Sequence, residues 1–221
     1  RNMPSRDDLT PAQVIDIVSG DDVAGRNDLL RQAIAEAAGG LHQMFTDDEI
    51  SATFFDAEKF RNFQERLGYV FPEADFWLLR AALTHKSFMA EAGNFAAAER
   101  LAWLGDAKLY FVVGEALVTA FPTAAIGDLA PARSMRIKRT TLSDSAKNAG
   151  VHEILLLGKS YITSKGTEEN ARSGLSSSML GEAFEAVLGA VSISGGLEAV
   201  RKVYFRSAPL PATISALRNG G

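Results

Sequence analysis

Apolar residues recur every three or four positions along most of this 221-residue chain. That spacing places them on one side of a helix. It is regular from position 56 on, where Phe60, Phe63, Leu67 and Val70 follow one another at helical intervals. Few segments alternate apolar and polar residues with a period of two, so strands are expected to be scarce. The pattern predicts an all-α fold.

Capping residues and glycine breaks give approximate bounds for the helices. The segments predicted to be helical are Thr10–Ser19, Asn27–Ala38, one opening at Thr46, Ala74–Leu83, Ala96–Thr119, Gly127–Asn148, Ser176–Ser192 and Leu197–Phe205. Three glycines at 150, 158 and 166 indicate a looser region before the helix that begins at Ser176.

Charge divides the chain into unequal parts. Residues 1–60 carry 5 Lys and Arg against 12 Asp and Glu, whereas the remainder carries 18 basic and 15 acidic side chains. We therefore interpret residues 1–55 as an acidic helical extension, 56–206 as the main domain and 207–221 as a peripheral tail. The extension is expected to pack on the main domain or on a partner. The mildly basic main domain is compatible with RNA as a ligand.

Composition excludes several classes of site. The chain has no cysteine, which rules out disulfides and thiolate zinc sites, and its three histidines lack metal-ligand spacing. No uninterrupted apolar run reaches the roughly 18 residues of a membrane span, so none is predicted. The sequence Gly158-Lys159-Ser160 lacks the upstream glycine of a phosphate-binding loop.

Two acidic helix faces carry the candidate chemistry. Glu99, Ala102, Trp103 and Asp106 lie three, four and seven positions apart, which places them on one side of a helix. About eighty residues later, Glu182 and Glu185 share a face of a second helix. Where such faces meet, their carboxylates form the kind of oxygen cluster that binds Mg²⁺.

Four segments, in this order, resemble the motifs of the ribonuclease III endonuclease domain. They are Leu83-Thr-His-Lys-Ser87, Glu99-Arg-Leu-Ala-Trp-Leu-Gly-Asp-Ala107, Gly127-Asp-Leu with the arginine-rich stretch after it, and Met179-Leu-Gly-Glu-Ala-Phe-Glu-Ala-Val-Leu-Gly-Ala190. The resemblance covers about residues 60–206. It implies an all-helical, dimeric domain that cuts double-stranded RNA with Mg²⁺ held by four acidic side chains.

The resemblance also shows a departure at the metal-binding positions. The four acids of the family fall at Ala102, Asp106, Glu182 and Glu185, where the first is lost and the third is glutamate in place of aspartate. Alanine supplies no oxygen, and Mg²⁺ tolerates little slack in its ligand geometry. We therefore expect a vestigial cluster, no efficient cleavage and no cofactor. Asp106, Glu182 and Glu185 are expected to bind Mg²⁺ only if the chain is an active endonuclease.

Other residues have more than one interpretation. The resemblance places Glu99 and Trp103 at a dimer interface, where an aromatic anchor is typical, although Trp103 could also be a core residue. The basic residues of the arginine-rich stretch either track RNA phosphates or form a solvated face. These residues are Arg133, Arg136, Lys138 and Arg139, with the three arginines on one side of a helix. His85 is interpreted as a structural histidine near a helix end.

The missing ligand favours an architectural role over an enzymatic one. The chain is similar to the degenerate ribonuclease III-like proteins of the mitochondrial large ribosomal subunit, of the type without a double-stranded-RNA-binding domain. That resemblance implies a structural protein in the mitochondrial matrix. Its partners would be a second ribonuclease III-like protein, ribosomal proteins and rRNA. The alternatives are an active Mg²⁺-dependent double-stranded-RNA endonuclease and a pseudo-nuclease subunit of an RNA-processing complex.

Overall fold

The computed structural model describes residues 23–38, 57–88 and 96–213, together with single positions at 10, 12, 13, 15 and 19. Within these residues every regular element is a helix. Their one β feature is an isolated parallel bridge between Thr84 and Leu156. The all-α prediction is confirmed.

The helices in chain order are α1 (Val23–Ala37), α2 (Ala57–Leu67), α3 (Phe76–Ala82), α4 (Ala97–Ala120), α5 (Ile126–Ile137), α6 (Arg139–Ala149), α7 (Val151–Ile154), α8 (Lys159–Ser164), α9 (Glu168–Ser173) and α10 (Ser177–Ser207). A short 3-10 turn, Glu73–Asp75, precedes α3. The looser region predicted around the three glycines consists of the short helices α7, α8 and α9.

One helix predicted as continuous is interrupted in the structure, and the bounds of the other described helices differ from the predicted ones by a few residues. The single helix predicted over 127–148 is two helices, because Lys138 is extended (φ −65°, ψ 150°) between α5 and α6. The break predicted at Gly195 and Gly196 is confirmed: α10 consists of two helical segments that meet at a kink, where Gly196 adopts φ 76°. That positive φ suits glycine and disfavours every side chain. The helix predicted to open at Thr46 lies outside the described residues.

The core forms around α4 and α10, the two longest helices. Along α4 the residues Leu101, Leu109, Val112 and Leu117 are buried, and along α10 the buried positions include Phe184, Val187 and Val191. Helix α6 packs beside α10, with Leu142 and Ala146 fully enclosed. Burial of these apolar faces, at about 25 cal/mol per Å², is the main force that holds the two long helices together.

Helix α1, which lies in the predicted acidic extension, packs against the helices that follow it. Its residues Leu29 and Ile34 are buried in the structure. Arg31 donates to both carboxylate oxygens of buried Asp75, at 3.1 and 3.2 Å. Asp75 also accepts from the Ser194 hydroxyl at 2.7 Å, next to the kink of α10. The predicted boundary at 55/56 lies in residues that the structure does not describe and stays a prediction.

Among the described helices, α10 is long and apolar enough to cross a membrane by length and composition. In its most apolar window 61% of the residues are buried within the protein. A buried central helix of this kind passes the same test, so the finding is weak evidence for a membrane span.

Candidate active site

The backbones of α4 and α10 touch where the two acidic faces cross. A Cβ atom on Gly105 would lie 1.8 Å from the carbonyl oxygen of Glu185, and one on Gly189 would lie 2.0 Å from that of Leu101. Any side chain at either glycine would overlap the facing backbone. The two glycines therefore set the spacing of the helices. Because Asp106 follows Gly105 in the chain, this contact also brings α4 close to Glu185 at the position of Asp106.

Glu185 is the half-buried member of the acidic group. Its pKa is raised to about 7, first because burial removes water from the carboxylate. The Arg139 charge opposes that rise, while the negative charges of Asp106 and Glu182 add to it. Asp106 and Glu182 are exposed. The structure thus brings two of the sequence-predicted acids, Asp106 and Glu182, within electrostatic reach of a third, Glu185.

The fourth predicted position, Ala102, is buried beside the crossing and is 7% exposed. It offers no oxygen to the group. Among the described residues, no three aspartate, glutamate or histidine side chains converge closely enough to hold a metal ion by themselves. The structure therefore shows a group of carboxylates to which position 102 adds no oxygen.

A small cleft lies beside Glu182, and Asp106 is not among the residues that line it. Glu99 and Glu182 line it together with His85 and Lys86, and alanines of α3, α4 and α10 form much of its wall. Burial and the adjacent Lys86 lower the pKa of His85 to about 4, so the ring is neutral near pH 7. The His85 Nδ1 atom accepts from the Ser87 amide at 3.1 Å. These contacts agree with the interpretation of His85 as a structural residue.

The four basic residues do not form one surface. The break at Lys138 turns Arg139 away from the face of α5, so the prediction of a single arginine face is wrong. Arg133 lies 3.8 Å over the Tyr110 ring, and Arg136 donates to the Ala208 carbonyl oxygen. Arg139 instead lies beside α10 and donates to the Ser178 carbonyl at 3.4 Å. RNA binding by these residues stays a prediction.

Trp103 and Glu99, the predicted interface residues, take different positions. The Trp103 side chain is 77% exposed and is not a core residue. Three more large apolar residues of α4 are also exposed, namely Tyr110, Phe111 and Val118. Glu99 lies one helical turn before Trp103 on α4 and lines the cleft. A dimer through this face of α4 stays a prediction.

Sequence reasoning missed two features of the site. The contact between Gly105 and Gly189 was not anticipated, although each glycine stands one or four positions from a candidate acid. A pair of glycines within otherwise strong helical patterns is the available signal, since glycine weakens a helix unless close packing requires it. The proximity of Arg139 to Glu185 had no signal, because it depends on the break at Lys138.

Glu185→Gln is expected to be more stable than the wild type at about pH 8 without divalent ions, and to match it at about pH 4. The pKa of Glu185 in the folded protein, about 7, lies above its ordinary 4.5. Below pH 4.5 Glu185 is neutral in both the folded and the unfolded protein and does not lower the stability. As pH rises through 7, the folded protein must ionise this half-buried carboxylate, which lowers the free energy of unfolding, whereas glutamine stays neutral. Thermal unfolding across this range tests the prediction, with exposed Glu198→Gln as the control. A difference independent of pH would contradict it.

Comparison with known proteins identifies the family. The profile of the Ribonuclease-III-like family matches residues 75–208. The chain is 39% identical over 138 residues to Ribonuclease 3 of Nitrosococcus oceani, covering 62% of this chain and 53% of that protein. It is 40% identical over 144 residues to Ribonuclease 3 of Oleidesulfovibrio alaskensis, covering 65% and 59%. The chain belongs to the ribonuclease III-like family, and it spans little more than half the length of these relatives.

A solved structure supports the same assignment. The nuclease domain of Ribonuclease III from Campylobacter jejuni aligns with 66% of this chain and 93% of its own length, with a TM-score of 0.56 and 31% identity. The predicted ribonuclease III-like fold is therefore confirmed.

The predicted architectural role is wrong. The relatives are bacterial proteins named Ribonuclease 3, and they support neither a mitochondrial ribosomal protein nor a non-enzymatic member of the family. The prediction gave too much weight to Ala102, because one missing protein ligand can be replaced by water or by a substrate phosphate. The mitochondrial location is not tested by these matches and stays a prediction.

Proposed function

We propose that this chain is a Mg²⁺-dependent endoribonuclease that cuts double-stranded RNA. The observation that carries the proposal is the pairing of Asp106 with half-buried Glu185 where α4 and α10 touch. Two further observations support it. The main domain carries a small net positive charge, and the relatives are named Ribonuclease 3.

The residues present fit a magnesium ion. All the candidate donors are carboxylate oxygens, which are the ligands that Mg²⁺ prefers, and it commonly uses only one or two of them together with water and substrate phosphates. Asp106 and Glu185 would hold it, with Glu182 nearby. A bound Mg²⁺ supplies charge that stabilises a phosphate oxygen and lowers the pKa of a water ligand. Burial is the main cause of the raised Glu185 pKa, and the charges of Asp106 and Glu182 add to it; a bound cation would favour the ionised carboxylate against both effects.

The chain's own residues contribute binding and orientation. Glu185 is held in place by the contact of its backbone with Gly105. Asp106 is exposed and next to that glycine, so its carboxylate is accessible from solvent. Fixed carboxylates on two packed helices limit how far the bound groups can move, which is the main requirement for in-line attack on a phosphodiester.

A cleavage assay tests the proposal directly. The purified chain is incubated with long double-stranded RNA in Mg²⁺, and in parallel with Mg²⁺ plus a chelator. Cleavage into short duplexes that the chelator abolishes is the expected result. Intact RNA at all Mg²⁺ concentrations would contradict the proposal. Cleavage seen only after an intact family member is added would instead indicate the pseudo-nuclease subunit.

Ala102→Glu is expected to increase the cleavage rate at limiting Mg²⁺ by about ten- to a hundredfold. The new carboxylate would add an oxygen at the fourth predicted ligand position, and each 1.4 kcal/mol of transition-state stabilisation is worth about tenfold. Because Ala102 is buried, the variant should also unfold more easily than the wild type. The Mg²⁺ concentration for half-maximal activity should fall in parallel. Ala107→Glu, at an exposed position of α4, is the control for added charge. Equal effects of the two substitutions would contradict the ligand role.

We also propose that the protein acts as a dimer through α4. The exposed apolar residues Trp103, Tyr110 and Phe111 support this, since such a patch on one helix is typical of an interface. The Campylobacter jejuni nuclease domain, to which this chain is similar, is described as having a region involved in dimer formation.

A further inference from the structure

Arg139 differs from the other basic residues in its surroundings. It begins α6 directly after the extended residue Lys138, and its side chain runs along the first turns of α10. A Cβ atom on Gly181 would lie 3.4 Å from the Arg139 carbonyl oxygen and 3.5 Å from its Cδ atom. These are ordinary van der Waals distances, so Arg139 packs directly against the face of α10 that carries Gly181.

The face of α10 that Arg139 follows is the face that carries the half-buried acid. Ser178, Gly181 and Glu185 are three and seven positions apart, so they share one side of the helix. Arg139 contacts the first two, and its charge acts on Glu185. Of the four basic residues considered above, it is the one whose charge acts on the acidic group.

The guanidinium of Arg139 is weakly held in this position. Within the described part of the chain its hydrogen bond is the 3.4 Å contact to the Ser178 carbonyl, and the residue is exposed. A guanidinium has five N–H donors in a planar fork, which matches two oxygens of a phosphate. Among the described residues, one of these donors is engaged, in the long contact with Ser178.

We propose that Arg139 is a phosphate-positioning residue, which binds a non-bridging oxygen of the RNA phosphate that is seated at the Asp106–Glu185 pair. The inference rests on the proposed nuclease function and identifies how the site holds its substrate. A phosphodiester beside two carboxylates is repelled unless positive charge stands close by. Arg139 supplies that charge from the protein, on the same face as Glu185. The arginine exchanges its long contact with Ser178 for a charge-assisted pair with the phosphate.

The first test measures RNA binding without cleavage. A short double-stranded RNA is titrated in Ca²⁺, which takes the same oxygen ligands, over a range of salt concentrations. Arg139→Gln should weaken binding about tenfold at low salt and reduce the slope of log K against log salt by about one, as expected for one lost phosphate contact. Arg139→Lys should keep the slope. Lys202→Gln, at an exposed position of α10 beyond the kink, is the charge-matched control and should change neither.

The second test measures cleavage in Mg²⁺. Arg139→Gln should lower kcat/KM about ten- to a hundredfold, and Arg139→Lys should recover part of the loss because it keeps the charge but not the fork. A merely structural role would lower the unfolding temperature and leave the salt slope unchanged, which would overturn the inference.

The two tests separate this inference from the proposed function. If the wild type does not cleave RNA, the nuclease proposal fails, whereas the salt slopes still decide whether Arg139 contacts a phosphate. If the wild type cleaves and Arg139→Gln matches Lys202→Gln in both slope and rate, the Arg139 inference fails and the nuclease proposal stands.

Discussion

Glu185→Gln and Asp106→Asn are each expected to reduce the rate of double-stranded RNA cleavage by about a hundredfold or more. Both replacements keep the size of the side chain and remove the negative charge that binds the cation. A metal ion contributes several kcal/mol to the stabilisation of developing charge, and a loss of about 3 kcal/mol corresponds to more than a hundredfold in rate. Initial rates in saturating Mg²⁺ give the measurement.

The control for this prediction is Glu198→Gln. Glu198 is exposed, stands on the same helix as Glu185, and pairs with Arg201 at 3.1 Å. Such an exposed ion pair contributes little to stability, so the variant should cleave at nearly the wild-type rate. Because Glu185→Gln is expected to be at least as stable as the wild type near neutral pH, its loss of activity would not result from unfolding. Full activity in either site variant would exclude the carboxylate pair as the metal ligands.

Gly105→Ala is expected to lower the free energy of unfolding by about 3 kcal/mol or more. The added Cβ would lie 1.8 Å from the Glu185 carbonyl oxygen and 2.9 Å from the Gly189 backbone nitrogen. These are backbone atoms within a packed helix, so α4 and α10 would have to separate. Overpacking of a close-packed core typically costs about 1–3 kcal/mol, and backbone overlap places this case at the upper end or beyond. Chemical denaturation measures the change.

Gly114→Ala provides the matched control on the same helix. The nearest atoms to its Cβ would be those of the Arg133 side chain, at 3.6 and 3.9 Å. Alanine should fit there and should stabilise α4 by about 0.5–1 kcal/mol, because it is the better helix former. A Gly105→Ala variant as stable as Gly114→Ala would mean that the two backbones do not touch.

Much of the fold could be predicted from the chain because helical periodicity is a local property. The bounds of α4 were predicted to within one residue at each end, and the glycine pair at 195 and 196 marked the kink of α10. The separation of α5 from α6 could not be predicted in this way. The break falls at a lysine, Lys138, and not at a proline or glycine, so the residue type does not indicate it. Its extended backbone is set by tertiary packing.

The candidate site shows the same limit. The spacing of Asp106, Glu182 and Glu185 predicted which acids would come together, and the structure places them within electrostatic reach. The interpretation of Ala102 was a separate step, and it led to the wrong class of protein. Whether a missing ligand abolishes metal binding depends on how the remaining donors, water and substrate fill the coordination shell. Residue identities alone do not contain that information.

The contact between Gly105 and Gly189 affects which substitutions such a domain can accept during evolution. The packing of the two long helices depends on main-chain atoms and on two glycines, and not on the acidic side chains beside the contact. Substitutions at exposed positions beside the contact, such as 182, can therefore alter the affinity of the protein for divalent ions while the packing of the two helices remains intact. Position 102 is buried, so a change there would alter metal binding and folding stability together.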